Sequence, residues 1–193
     1  LLFVSSLLLA VCYHARSAAL CVILYGIIWT ILPYLTERKL LYRIFVRVII
    51  FGSILFTVLY TLLGKAGFNL TLLYKDILSG RQDIWEELWE AFLRRPLTGI
   101  GSSYELKSFF IFEVHNGLFD ILCVHGIIVF ALVIYLLLKR LTEAGDTPFR
   151  YRPDCRHALA GVFALLLASY FENGFIVPPY SMVFMTLMLL SRE

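Results

Sequence analysis

Four residues of this chain are suited to charge and proton chemistry: Arg16, Arg81, His115 and Glu172. Arg81 follows Gly80 and falls in the first turn of an expected helix, where unpaired N–H groups and the macrodipole favour anions. Together they offer a phosphate site, although an arginine at a helix start is a generic feature. Arg16 lies in a four-residue break, His14-Ala15-Arg16-Ser17, between two apolar runs. An arginine placed there either meets an anionic partner or snorkels to lipid headgroups. His115 begins an apolar run and can take a proton from a hydroxyl near neutral pH, provided the acceptor comes within hydrogen-bond reach. Its plainer role is a helix cap or interface residue. Glu172-Asn173 ends another apolar run; it can orient an arginine or a sugar hydroxyl, or be a solvated turn.

Other residues extend this set. Asp120 and His125 are ionisable groups inside an apolar run, functional candidates by default. Asp120 lies one helical turn past Asn116, which it can buttress, or it can pair with a polar group on another helix. Thr98-Gly99-Ile100-Gly101-Ser102-Ser103 follows Pro96. Gly99 and Gly101 can form an anion nest from backbone N–H groups, or a flexible turn. The sequence holds no HExxH motif, no acidic metal cluster and no nucleotide-binding glycine motif, so neither a cofactor nor a metal is expected. Cys12, Cys21, Cys123 and Cys155 form no CxxC pair and no disulfide or zinc pattern.

The elements that must hold these residues are apolar. The 193 residues are 60% hydrophobic and 16% charged, with a mean hydropathy of +0.82. A soluble globular domain carries about 25% charged residues, so that class is excluded. Apolar runs lie at 1–13, 17–35, 41–63, 116–138, 157–171 and 175–190, close to the roughly 20 residues that cross a bilayer core. The chain is therefore expected to be an all-α polytopic membrane protein. The last two runs are short for full spans and suit tilted helices or a packed hairpin. Residue 1 stands within an apolar run that no basic segment precedes, so the chain reads as the C-terminal fragment of a larger bundle.

Charge sets the expected orientation. If the first run leads outward, the inner side carries Arg38, Lys39, Arg43, Arg47, Lys139, Arg140, Arg150, Arg152, Arg156 and Arg192 against only five acids. Positive residues collect on the cytoplasmic side, while the segment 64–115 carries six basic residues against seven acids. The expected organisation is thus transmembrane helices in 1–63, the first truncated, then an extracytoplasmic loop in 64–115. Further transmembrane helices fill 116–193, with a basic cytoplasmic loop at 139–156. Within the outer loop, residues 82–95 read as an amphipathic helix. Ser79-Gly80-Arg81-Gln82 has the form of a capping box, acids gather at the helix start, and Arg94-Arg95 precede the stop at Pro96. Ile84, Trp85, Leu88, Trp89 and Phe92 share one face, which suits the membrane interface or packing on neighbouring loops.

The order of these elements resembles the O-antigen ligase and polysaccharide polymerase superfamily, which includes O-antigen ligases and Wzy-type polymerases. The likeness rests on Ser79-Gly80-Arg81 with Trp85, on Pro96-Leu97-x-Gly99-x-Gly101, and on His115-Asn116-x-Leu118 with Gly126 beyond. Ala15-Arg16-Ser17 at the start of a span belongs to the same pattern. Val129 stands where that family often has a second glycine after Gly126, a departure that bears on helix packing.

The resemblance implies a GT-C-like transmembrane helix bundle in the bacterial cytoplasmic (inner) membrane. Its activity would be metal-independent glycosyl transfer, outside that membrane, from an undecaprenyl-diphosphate-linked oligosaccharide. By position, Arg16 and Arg81 would hold and stabilise the leaving diphosphate, a role suited to guanidinium. His115 would activate the acceptor hydroxyl, Asn116 would orient His115 or the sugar, and Glu172 would support them. Membrane lipid, chain-length regulators and flippases are the implied partners; nucleic acid is not. Three functions fit: a polysaccharide polymerase, favoured because the outer segment is compact; a ligase to lipid A core or another terminal acceptor; and a transporter or flippase of an anionic lipid or solute, with Asp120 and His125 as coupling residues.

Overall fold

The computed structural model describes residues 2–12, 16–66, 71–72, 75–76, 81–106, 114–146, 153–173, 175–177 and 180–191. Among the described residues, seven helices appear in chain order: α1 (Leu2–Cys12), α2 (Arg16–Glu37), α3 (Lys39–Lys65), α4 (Arg81–Arg94), α5 (Gly117–Ala144), α6 (Pro153–Ala168) and α7 (Tyr180–Leu190). Two-residue strands, β1 (Thr71–Leu72) and β2 (Lys75–Asp76), pair antiparallel between α3 and α4. Each of the six apolar runs is helical over most of its length. Three stretches, Ala18–Glu37, Lys39–Lys65 and Gly117–Ala144, are long and apolar enough to cross a membrane. Helices suit that setting because every backbone N–H and C=O within them is bonded inside the segment. The protein is an all-helical membrane protein.

Several boundaries differ from the expected ones. α2 and α3 are separated by Arg38 alone, so Lys39, expected between the two apolar runs, opens α3. α5 continues past Leu138 to Ala144, and α6 begins at Pro153, a residue tolerated in a first helical turn. The amphipathic helix forms at 81–94, while its capping serine, Ser79, lies outside the described residues.

α3 packs against both α5 and α6, and α6 packs against α2 and α7. The main core gathers Val46, Ile50, Leu118, Leu141, Leu159 and Phe163. On α3 the buried residues Val46, Ile49, Ile50, Ser53, Thr57 and Tyr60 recur at helical spacing, while Val48, Leu55 and Leu62 stay exposed. An apolar helix exposes such residues at little cost when lipid rather than water surrounds it.

A second core joins the end of α3, α4 and the start of α5 through Tyr60, Trp85, Leu88, Phe92, Leu106, Val114 and Phe119. α4 turns Trp85, Leu88, Ala91 and Phe92 into it, and Lys65 pairs with Glu86 at 2.6 Å. Trp89 and Leu93, by contrast, point outward.

α5 is broken at Gly126, whose φ of 82° and ψ of 171° are not helical. The chain following α4 docks into this break. Ile100 N–H donates to Cys123 O (3.0 Å), Gly101 N–H to Val124 O (3.0 Å), and Ile127 N–H to Pro96 O (2.9 Å). Gly99 and Gly126 face each other here, both with positive φ, and a Cβ on either would collide with the other's backbone. Glycine is required at both positions, for conformation and for close approach.

Candidate functional site

The second core holds the start of α5 in place, and with it His115. Trp85 Nε1–H, buried, donates to Val114 O at 2.6 Å. On the other side, Gly117 N–H donates to Ser169 O at 3.0 Å. Between these anchors His115 takes a φ of +53°, a left-handed conformation that costs a non-glycine residue about 1–2 kcal/mol. The conformation persists because both flanks are fixed.

Asn116 adds a third anchor. Its Oδ1 caps α5 by accepting from Phe119 N–H at 3.0 Å and also accepts from Ser53 Oγ–H at 2.9 Å. Its Nδ2 donates to Thr57 Oγ1 at 3.1 Å and to Tyr170 O at 3.4 Å. Asn116 is 0% exposed, and these bonds position the chain at His115. Tyr170 fastens the far side, its phenol donating to Ile49 O.

These supports bring three of the expected residues together. Glu172 Oε2 lies 3.2 Å from His115 Nδ1, and its Oε1 lies 3.6 Å from Arg81 Nη2. Arg81 Nη1 also donates to Phe171 O at 2.9 Å, clamping the start of α4 to the turn after α6. Glu172 is therefore the bridge, not a peripheral residue. The side chains of Arg81 and His115 are 21% and 26% exposed, sheltered yet reachable. An ionised carboxylate only accepts, so this contact is a hydrogen bond in the form of His115 that carries a proton on Nδ1.

The remaining expected residues are placed differently. Arg16 opens α2, but its side chain lies outside the described residues. Gly99, Ile100 and Gly101 spend their N–H groups on Arg95 O, Cys123 O and Val124 O. In the stretch expected to form an anion nest, these donors build a turn on Arg95 and the junction with α5. Asp120 bonds back to Asn116 through its N–H (2.9 Å) and, with His125, lines a cavity beside the site. Sequence reading missed Ser53, Thr57 and Tyr170 as supports. A signal existed for two of them, since hydroxyls four residues apart in an apolar span mark the face that meets protein rather than lipid.

Fold and site together define a helical membrane protein whose few polar side chains converge where α4, α5 and the turn after α6 meet. A family model described as O-antigen ligase (Wzy_C) matches residues 1–134. The chain belongs to this family, which makes it a membrane glycosyltransferase of the O-antigen ligase and polymerase type, acting on lipid-linked oligosaccharide. Comparisons with curated proteins and with solved structures gave no match.

Proposed function

We propose that this protein is a polysaccharide polymerase of the bacterial inner membrane. It transfers a glycan from undecaprenyl diphosphate to a sugar hydroxyl on the extracytoplasmic side. The observation that carries this reading is the connected set Arg81–Glu172–His115. In the proposed step, His115 Nε2 takes the proton of the acceptor hydroxyl as its oxygen bonds to the donor's anomeric carbon. The bond from that carbon to the diphosphate oxygen breaks, and its electron pair leaves with the diphosphate. Glu172 holds Nδ1–H and stabilises the imidazolium that forms, a role familiar in other His–carboxylate pairs.

Charge balance assigns Arg16 its part. With His115 neutral, Arg81 and Glu172 cancel, whereas a departing diphosphate needs net positive charge. Arg16 would supply it, and two guanidinium groups on an already activated donor would do what a divalent metal does elsewhere. The charge asymmetry supports the outer placement of residues 64–115, and the outward Trp89 and Leu93 suit α4 to the interface of that leaflet.

The test is transfer in membranes supplied with lipid-linked repeats. His115→Ala and Arg81→Ala are each expected to reduce transfer at least about 10²-fold, the scale of losing a general base or a charged transition-state contact, while the protein still inserts. Full transfer by both variants would remove this active site. A ligase reading follows from the description of the matched family; a ladder of repeat lengths on undecaprenyl diphosphate means polymerase, and glycan on a terminal acceptor means ligase. Activity retained in excess chelator is the outcome expected of metal-independent transfer.

A further inference from the structure

A cavity of about 300 Å³ adjoins the Arg81–Glu172–His115 cluster, and none of the roles assigned above uses it. Val114 and Asn173 line it, and they are the sequence neighbours of His115 and Glu172. The cavity therefore lies beside the base and its carboxylate. Ser102 and Tyr104, from the chain that follows α4, form one wall, while Asp120 and His125, from the first arm of α5, form another. The glycine junction at Gly99 and Gly126 fixes these two walls against each other.

The lining says what fits. A carboxylate repels a phosphate, so Asp120 argues against a second anion subsite. Hydroxyl, carboxylate, amide and imidazole groups together both donate and accept hydrogen bonds, as the ring hydroxyls of a sugar require. Tyr104 adds an apolar face with a polar edge. The volume sits at the low end of ligand pockets, about 300–1,000 Å³, which suits one sugar ring better than an oligosaccharide.

We propose that this cavity is the acceptor-sugar subsite. A terminal sugar ring lies against Tyr104, with hydroxyls bonded to Asp120 and Ser102, and presents a further hydroxyl to His115. This deepens the transfer reading and rests on it, since His115 Nε2 must be the base for the seated hydroxyl to matter.

The experiment is saturation-transfer NMR on the purified protein in nanodiscs, with the methyl glycosides of glucose, galactose, N-acetylglucosamine and rhamnose as probes. At least one glycoside is expected to bind the wild type. Asp120→Asn, which preserves shape, and Tyr104→Ala are each expected to raise its Kd about tenfold, equal to about 1.4 kcal/mol. Absence of binding by all four probes overturns the proposal, as does a Kd unchanged in both cavity variants. Glycoside binding with the expected variant effects, in a protein that transfers no glycan from a lipid-linked donor, would instead overturn the transfer reading and leave the sugar site standing.

Discussion

At the scale of single residues, the chemistry depends on side chains that do not react. His115 holds a left-handed φ of 53°, and the cost is met by bonds on either side of it: Trp85 to Val114 O, Gly117 N–H to Ser169 O, and the Asn116 network. Removing the Asn116 side chain would orphan Phe119 N–H at the helix start and leave Ser53 and Thr57 short of their partner. Asn116→Ala is therefore expected to lower stability by about 2–4 kcal/mol, combining a lost N-cap with unsatisfied buried groups; thermal unfolding in detergent checks it. Glu172→Gln probes a different link. An amide can present either a donor or an acceptor to His115, so Nδ1–H is no longer enforced. Transfer is expected to fall about 10²-fold or more, with unfolding temperature nearly unchanged because the Glu172 side chain is 36% exposed. Wild-type transfer rates in Glu172→Gln would mean that the carboxylate does not set the tautomer. His115 and Arg81 were legible as candidates from residue type and placement. Their joining through Glu172 was not, because 57 residues separate His115 from Glu172 and sequence gives no distance across such a gap.

At the scale of elements, the junction between α5 and the chain after α4 decides whether the site has walls. Gly99 and Gly126 both have positive φ, and a Cβ on Gly99 would strike Val124 O while one on Gly126 would strike Leu97 O. Alanine at either position is expected to cost about 2–5 kcal/mol, the sum of left-handed strain and overpacking. The double variant should cost clearly less than the two added together, because either change alone separates the same backbones. Gly101→Ala is the control: its φ is also positive, at 85°, but no atom lies within 4 Å of its Cβ position. Strain alone, about 1–2 kcal/mol, is expected there, and equal losses at all three positions would refute the close-contact account. The six apolar runs announced six helices, and the charge order announced α4, because lipid-spanning length and amphipathicity are local properties. The inward faces were less legible. A span that is apolar on every side does not show which side meets protein and which meets lipid, so the packed side of α3 is marked only by Ser53 and Thr57. The break at Gly126 was also hidden, since a glycine in an apolar run fits a helix as readily as it fits a bend.

At the scale of the whole molecule, the proposed activity needs the polar cluster on the side where lipid-linked glycan is presented. The basic residues of 36–47 and 139–156 against the near-neutral segment 64–115 are the ground for the proposed outer placement of that segment. Ser103 is exposed in the segment beside the site, and Glu143 is exposed at the opposite end of α5. In a background where the native cysteines are replaced, including exposed Cys12, Ser103→Cys should react with a membrane-impermeant maleimide in intact cells. Glu143→Cys should react only once the membrane is opened. The physical ground is that α5 is long and apolar enough to cross the bilayer, and a helix that crosses puts its two ends in different compartments, of which a small charged reagent reaches only one. The reverse pattern would put Arg81 and His115 on the cytoplasmic side and remove the extracytoplasmic transfer reading, however well the cluster is formed. Labelling of both positions in intact cells would mean that α5 does not span; its break at Gly126 would then mark a helix that enters and returns.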